Sequence, residues 1–242
     1  MQTASPALAT VSLIQKSWRF VQRHRWSLPL GLGSLLSFVE LAEEMREGEM
    51  AAFDELVAAS VTAWRGSLDG LMVALTVSGE GKWMATVCVL AVAALFGFRK
   101  RREAVFVATC GVAAAVLSTG LKLAFQRARP DASLGYLLDL PGSFSFPSGH
   151  AMGSACVAGS LAIVAFAKLR GPWRWLTVAV ALFYILGVGA SRVYFGVHFA
   201  SDVLGGQLAS AAVVAAITGW FFPRLLPGEA TKEPAQVPSA ET

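Results

Sequence analysis

The sequence predicts an all-α membrane protein, and three observations carry that expectation: composition, the placement of charge and the length of the apolar runs. Of 242 residues, 55% are hydrophobic and 15% charged, and the mean hydropathy is positive, which is outside the range of ordinary soluble domains. The charges bunch between long apolar runs instead of alternating along amphipathic faces, as in multi-span helical membrane proteins. About 20 apolar residues cross a bilayer core as a helix. Six stretches come near that length: Trp26 to Leu41, Trp83 to Phe98, Ala104 to Phe125, Ala151 to Ala167, Trp173 to Ala190 and Phe199 to Phe222. The first is shortened by Glu40, Glu43 and Glu44.

Between the first two spans, residues 43–82 show apolar positions at helical spacing with acids interleaved, which predicts an interfacial amphipathic helix or two, broken near Gly79 to Gly81. The run Glu40, Glu43, Glu44, Glu47 and Glu49 reads as a solvated face. Residues 1–25 carry Lys16, Arg19, Arg23 and Arg25 but no cleavable signal pattern, so a cytoplasmic N-terminal segment is expected. A six-span membrane domain follows over 26–224, and the polar, proline-containing tail 225–242 is expected to be disordered and cytoplasmic. The net charge of +4 sits in short clusters beside apolar spans, with no module for nucleic acid. Cys88, Cys110 and Cys156 fall inside apolar runs without ligand spacing and read as packing residues.

Short-loop Lys and Arg set the orientation. Arg99, Lys100, Arg101 and Arg102, with Lys168, Arg170, Arg174 and Arg224, join the N-terminal cations on the cytoplasmic side, which puts both termini inside. The loops after the third and fifth expected spans then emerge together on the opposite side, and they carry the unusual polar residues.

Lys122 and Arg129 are seven residues apart, so both point to one side if the helix persists to Pro130. They form a cationic clamp or, read alone, a pair of interfacial anchors. Ser148, Gly149 and His150 stand directly before the fourth span, where a serine cap exposes N–H groups to an anion and a first-turn histidine can move a proton. His198 and Asp202 are four apart on one helical face; a carboxylate on Nδ1 frees Nε2 as a nucleophile. Arg192 reaches them if 193–197 form a turn between spans. Three cations, a helix start and two histidines match a phosphate dianion and oppose a bound metal cation.

Lys122-x6-Arg129-Pro130, Pro147-Ser148-Gly149-His150 and Ser191-Arg192-x5-His198-x3-Asp202 together resemble the three-part signature of the type-2 phosphatidic acid phosphatase superfamily, in its integral membrane branch. The resemblance implies a metal-independent, cofactor-free phosphatase. In it His198 attacks phosphorus to give a phosphohistidine, Asp202 orients the imidazole, and His150 protonates the leaving oxygen and then activates water. Lys122, Arg129, Arg192, Ser148 and Gly149 hold the phosphoryl oxygens. Small residues at Ala151, Ala155 and Gly159, or Gly187 and Ser191, are expected to let the helices pack closely. The substrate expected is a membrane lipid phosphate or diphosphate of the phosphatidate, phosphatidylglycerophosphate, polyprenyl diphosphate or lipid A type. It would be hydrolysed on the extracytoplasmic face of a cell membrane, the bacterial inner membrane. The alternatives are a lipid phosphotransferase with the same intermediate and a non-catalytic lipid-phosphate binder or flippase.

Overall fold

The structure is a computed structural model that describes residues 26–131, 136 and 142–222. The segments expected at 1–25 and 225–242 lie outside the described residues. Among the described residues there are eight helices and no strand: α1 (Ser27–Glu47), α2 (Ala51–Thr62), α3 (Asp69–Ser78), α4 (Gly81–Gly97), α5 (Arg101–Phe125), α6 (Gly149–Lys168), α7 (Pro172–Tyr194) and α8 (Ala200–Phe221).

Four of these, α5 to α8, are long and apolar enough to cross a membrane, and α3 with α4 makes a fifth if the pair, bent by 59°, counts as one span. The helix α1 is not among them: its second half carries Glu40, Glu43, Glu44 and Glu47. It is nonetheless a full helix, closed by Gly48 in the left-handed region, whose N–H bonds to the Glu44 carbonyl. Glu40, Glu43, Glu47 and Glu49 are exposed, as a solvated acidic face should be. Residues 43–82 hold the end of α1, α2, α3 and the first residues of α4, separated at 48–50, 63–68 and, as expected, at Gly79 and Glu80.

Burial ranks the helices. Half of the apolar window of α8 and 44% of that of α6 are buried, against 28% for α5 and α7, so α6 and α8 form the centre of the bundle. The outward faces are apolar, with Leu36, Val89, Leu90, Val112, Val116 and Phe183 all largely exposed, while Ser191, Arg192, Ser201 and Asp202 are buried. This inverts the soluble pattern and marks an integral membrane protein, with Trp173 and Trp175 at one rim where indole rings favour the interface.

Among the described residues, four apolar clusters hold the bundle, and two of them frame its ends. Phe106, Val107, Cys110 and Cys156 pack at one end with half-buried Cys88 beside them, so the free thiols are packing residues. At the other end Phe38, Leu41 and Ala42 of α1 meet Phe146, Met152 and Ala209. Close approach falls on glycines the sequence did not single out. A Cβ at Gly205 would lie 2.5 Å from the Phe146 ring, and one at Gly206 would lie 2.9 Å from the Ser148 carbonyl, whereas nothing lies within 4 Å of such an atom at Gly159. Ala151 does pack fully buried, and Gly187 faces Leu75 of α3. Helix α8 therefore slides directly under the start of α6.

Gly205→Val should overpack this contact and cost about 2 kcal/mol. Thermal unfolding in detergent would read it as a drop of roughly 4–8 °C; an unchanged midpoint would contradict the packing.

Candidate active site

The site gathers where three chain segments end. The helix α7 runs further than expected, through Tyr194, so Ser191 and Arg192 belong to its last turn. Gly196 then takes φ 67°, and the Gly196 and Val197 N–H groups bond back to the Val193 and Arg192 carbonyls at 2.9 and 3.2 Å. This tight reversal turns His198 inward at 4% exposure, directly before α8.

Asp202, in the first turn of α8, is fully buried. Its Oδ2 accepts from the Phe199 N–H at 2.9 Å and from Ser145 Oγ at 2.5 Å, and faces His198 Nδ1 at 3.3 Å. Arg129 Nη1 donates toward His198 Nε2 at 3.1 Å. An arginine has no acceptor, so these partners assign the proton to Nδ1 and the lone pair to Nε2. Burial is the main cause that depresses the His198 pKa to about 4, with Arg129 and Arg192 adding to it and Asp202 partly offsetting it.

The third segment departs from expectation. The helix α5 does not persist to Pro130: it stops at Phe125, and Gln126 enters the left-handed region at φ 49°. Lys122 and Arg129 therefore converge by a turn of the chain, not by helical register. Lys122 Nζ donates to the Phe144 carbonyl, and Arg129 donates to the Ser143 carbonyl at 2.8 Å and the Val197 carbonyl at 2.6 Å. A cleft of about 620 Å³ opens between Lys122, Arg129 and the 142–144 segment.

Ser148 caps α6, its Oγ accepting from the Ala151 N–H at 3.5 Å. Its own N–H donates to the Asp202 carbonyl at 3.0 Å, which ties the start of α6 to α8 and leaves Gly149 and His150 at the open first turn. Arg192 is 4% exposed and donates through Nη1 to Thr76 Oγ1. Among the described residues, Arg192 Nε and His150 Nε2 are both buried without a hydrogen-bond partner. His150 lies in the electrostatic range of Arg192, His198, Arg129 and Lys122, so all the sequence-predicted residues share one site. Unpaired buried polar atoms are rare in native proteins and mark a place for a missing group. Between five cationic or imidazole side chains and a helix start, the fitting group is an anion.

Several residues of the site escaped the sequence reading. Ser145 stands three residues before Ser148 and holds the carboxylate of Asp202. Arg127, two before Arg129, reaches Asp202 Oδ1 at 2.6 Å and Asp54 Oδ2 at 3.0 Å. Thr76 comes from the last turn of α3 and Gly79 from the α3–α4 break, and a Cβ at Gly79 would lie 2.5 Å from Val188 and 3.3 Å from the His150 ring. Only Arg127 and Ser145 sit beside a recognisable motif; Asp54 and Thr76 carry no local signal.

A membrane-embedded helical bundle with a histidine–carboxylate pair and converging cations defines a class, the integral membrane phosphatases. Residues 103–225 match the model of the PAP2 superfamily. The chain is 32% identical over 174 residues to a phosphatidylglycerophosphatase B of Bacillus subtilis, covering 71% of this chain and 84% of that one. It is 32% identical over 147 residues to an undecaprenyl-diphosphatase of Sulfolobus acidocaldarius, over 59% of this chain and 65% of that one. The crystal structure of a transmembrane PAP2-type phosphatidylglycerolphosphate phosphatase from Bacillus subtilis superposes with a TM-score of 0.71 at 28% identity, covering 79% of this chain and 96% of the other. The chain belongs to the PAP2 superfamily.

The pKa of His198 sets a sign for stability. Lying below the unfolded value of about 6.5, it makes a contribution that is complete above pH 6.5 and lost as the pH falls toward 4. Proton–nitrogen NMR on histidine-labelled protein should find one imidazole titrating near pH 4 that vanishes in His198→Gln. A midpoint near 6.5 for that ring would refute the burial argument.

Proposed function

We propose that the protein is a lipid phosphatase that cleaves a phosphomonoester or diphosphate of a membrane lipid on the extracytoplasmic face through a phosphohistidine. The observation that carries this is the pair of unpartnered buried atoms, His150 Nε2 and Arg192 Nε, in one site with a histidine whose Nε2 bears the lone pair. A phosphate dianion satisfies both while exposing phosphorus to that lone pair.

The chemistry then follows the residues. His150 takes up a proton together with the incoming dianion; His198 Nε2 then attacks phosphorus, the phosphorus–oxygen bond to the lipid breaks, and His150 gives that proton to the departing oxygen. The Nδ1 proton stays on His198, facing Asp202, whose charge stabilises the phosphorylated imidazole. Arg192, Arg129, Lys122 and the N–H groups at the start of α6 hold the phosphoryl oxygens as their charge grows, usually the largest catalytic contribution. His150, now neutral, takes a proton from water, whose oxygen displaces Nε2 from phosphorus; inorganic phosphate leaves and His198 is restored. Among the described residues, no three His, Cys, Asp or Glu side chains converge as a ligand set for a metal ion.

Lipid, in place of a soluble phosphate ester, is favoured by an apolar groove of about 660 Å³ lined by Val73, Val77, Met84, Val87 and Leu161. Ser78, among its lining residues, precedes the glycine that abuts His150, so a lipid tail lying in the groove passes close to the site. The face is inferred from charge. The α4–α5 and α6–α7 connections at the other end of the bundle hold Arg99 to Arg102, Lys168, Arg170 and Arg174, which belong on the cytoplasmic side. With α1 and the α3–α4 pair as spans, the count is six, the termini lie inside, and a bacterial inner membrane is the natural setting. Names among the relatives range from phosphatidylglycerophosphate to undecaprenyl diphosphate, so the proposal stops at the lipid phosphate class.

Purified protein should release phosphate from at least one of phosphatidate, phosphatidylglycerophosphate, lipid A or a polyprenyl diphosphate, with EDTA making no difference. His198→Ala should lower turnover by at least about 10³-fold while lipid binding persists. No release from any of the four would overturn the phosphatase reading, and loss of activity in EDTA would overturn the metal-free chemistry.

A further inference from the structure

The helix α2 reaches the site although no motif marks it. It lies outside the spans, and most of its side chains are exposed. Asp54 is the exception at 5% exposure. A lone buried carboxylate on a surface helix is costly unless fully paired, and Asp54 is fully paired. Its Oδ1 accepts from the Ser201 N–H at 2.7 Å, and its Oδ2 accepts from Ser201 Oγ at 2.8 Å and Arg127 Nη2 at 3.0 Å.

Arg127 completes the arrangement. Its Nη1 donates to Asp202 Oδ1 at 2.6 Å and to Ser201 Oγ at 2.7 Å, and its guanidinium lies 4.1 Å over the Phe199 ring. One planar cation thus bridges two buried carboxylates, one from α2 and one from α8, through the two ends of its fork. The oxygen of Asp202 that Arg127 binds is the one that does not face His198.

We propose that Arg127 and Asp54 are positioning residues that act through Asp202: they fix its carboxylate so that Oδ2 stays aligned with His198 Nδ1 and the Nε2 lone pair stays aimed at phosphorus. Neither touches the phosphoryl group. The inference rests on the reading of His198 as nucleophile. Without Arg127, Asp202 Oδ1 loses its one hydrogen-bond partner among the described residues, and a second buried carboxylate stands behind it. The carboxylate then rotates or takes up a proton, and the imidazole loses its fixed tautomer. With Arg127→Lys, the sign of the charge remains but the fork is lost, so function should return in part.

The test uses the full-length protein in phosphatidylglycerol–detergent mixed micelles, with two readouts for wild type, Arg127→Gln, Arg127→Lys and Asp54→Asn. The first is long-range proton–nitrogen NMR of labelled histidines, which reports the His198 tautomer without any substrate. The second is phosphate release from phosphatidate and phosphatidylglycerophosphate. Wild type should show His198 protonated on Nδ1 alone; Arg127→Gln should show both tautomers and a fall in kcat of about 100-fold, the scale of a displaced catalytic group, with KM within about twofold because no phosphate ligand is lost. Arg127→Lys should recover part of the kcat and Asp54→Asn should lose less than Arg127→Gln. An unchanged tautomer in Arg127→Gln, or a loss carried by KM, would overturn the proposal. A wild type that shows the Nδ1 tautomer but releases no phosphate would instead overturn the lipid phosphatase reading and leave the clasp standing on the NMR. If Arg127→Gln does not fold, Asp54→Asn decides: wild-type tautomer and kcat there would overturn the proposal.

Discussion

Everything at this site depends on keeping one carboxylate, that of Asp202, ionised with no exposure to water. Moving a carboxylate out of water costs several kcal/mol even after relaxation, so every lone pair must meet a donor. The structure supplies Phe199 N–H, Ser145 Oγ, Arg127 and the imidazole of His198. The donors come from two connections far apart in sequence: Arg127 and Ser145 from the two ends of the α5–α6 connection, and His198 and Phe199 from the α7–α8 turn. Satisfying one charge therefore ties both ends of the α5–α6 connection to the start of α8, and the fold constraints around Gly205 and Gly206 follow from bringing α6 down onto the same turn.

The phosphate side of the site is built on the opposite logic. There, donors are left without acceptors: Arg192 Nε and His150 Nε2 are unpaired, and the cations crowd one another. Like charges held together in a low-dielectric environment are unfavourable until an anion enters. A bundle whose buried carboxylate is fully satisfied and whose Arg192 Nε and His150 Nε2 are not is set to bind an anion and to react with it at the histidine between the two.

Much of this was legible because membrane helices and the PAP2 motif both write themselves in local sequence. Apolar length located α4 to α8, and the positions of Lys122, Arg129, Ser148, Gly149, His150, Arg192, His198 and Asp202 followed from short motifs at fixed spacing. What was not legible depended on distance. The apolar run ended at Phe125 as the helix does, but helical register could not say that Lys122 and Arg129 meet by a turn through a left-handed Gln126, which is a choice made by the connection that follows. Nor could it pair Asp54 with Ser201 across 147 residues, or Thr76 with Arg192, because nothing in an amphipathic stretch says which acid or hydroxyl turns inward. The acids of α1 illustrate the same limit: they weaken its reading as a span, yet its apolar face packs on α8 as closely as any span.

The central claim is that a phosphate occupies the space between His198, His150 and Arg192, with phosphorus on His198 Nε2. A structure of the protein with orthovanadate, which adopts the five-coordinate geometry of the transferring phosphoryl group, tests it most directly. The account predicts vanadium bonded to His198 Nε2, with oxygens on Arg192, Arg129 and the N–H groups at the start of α6 and the apical oxygen on His150. Vanadate bound elsewhere, or in this cavity without a bond to His198, would contradict it.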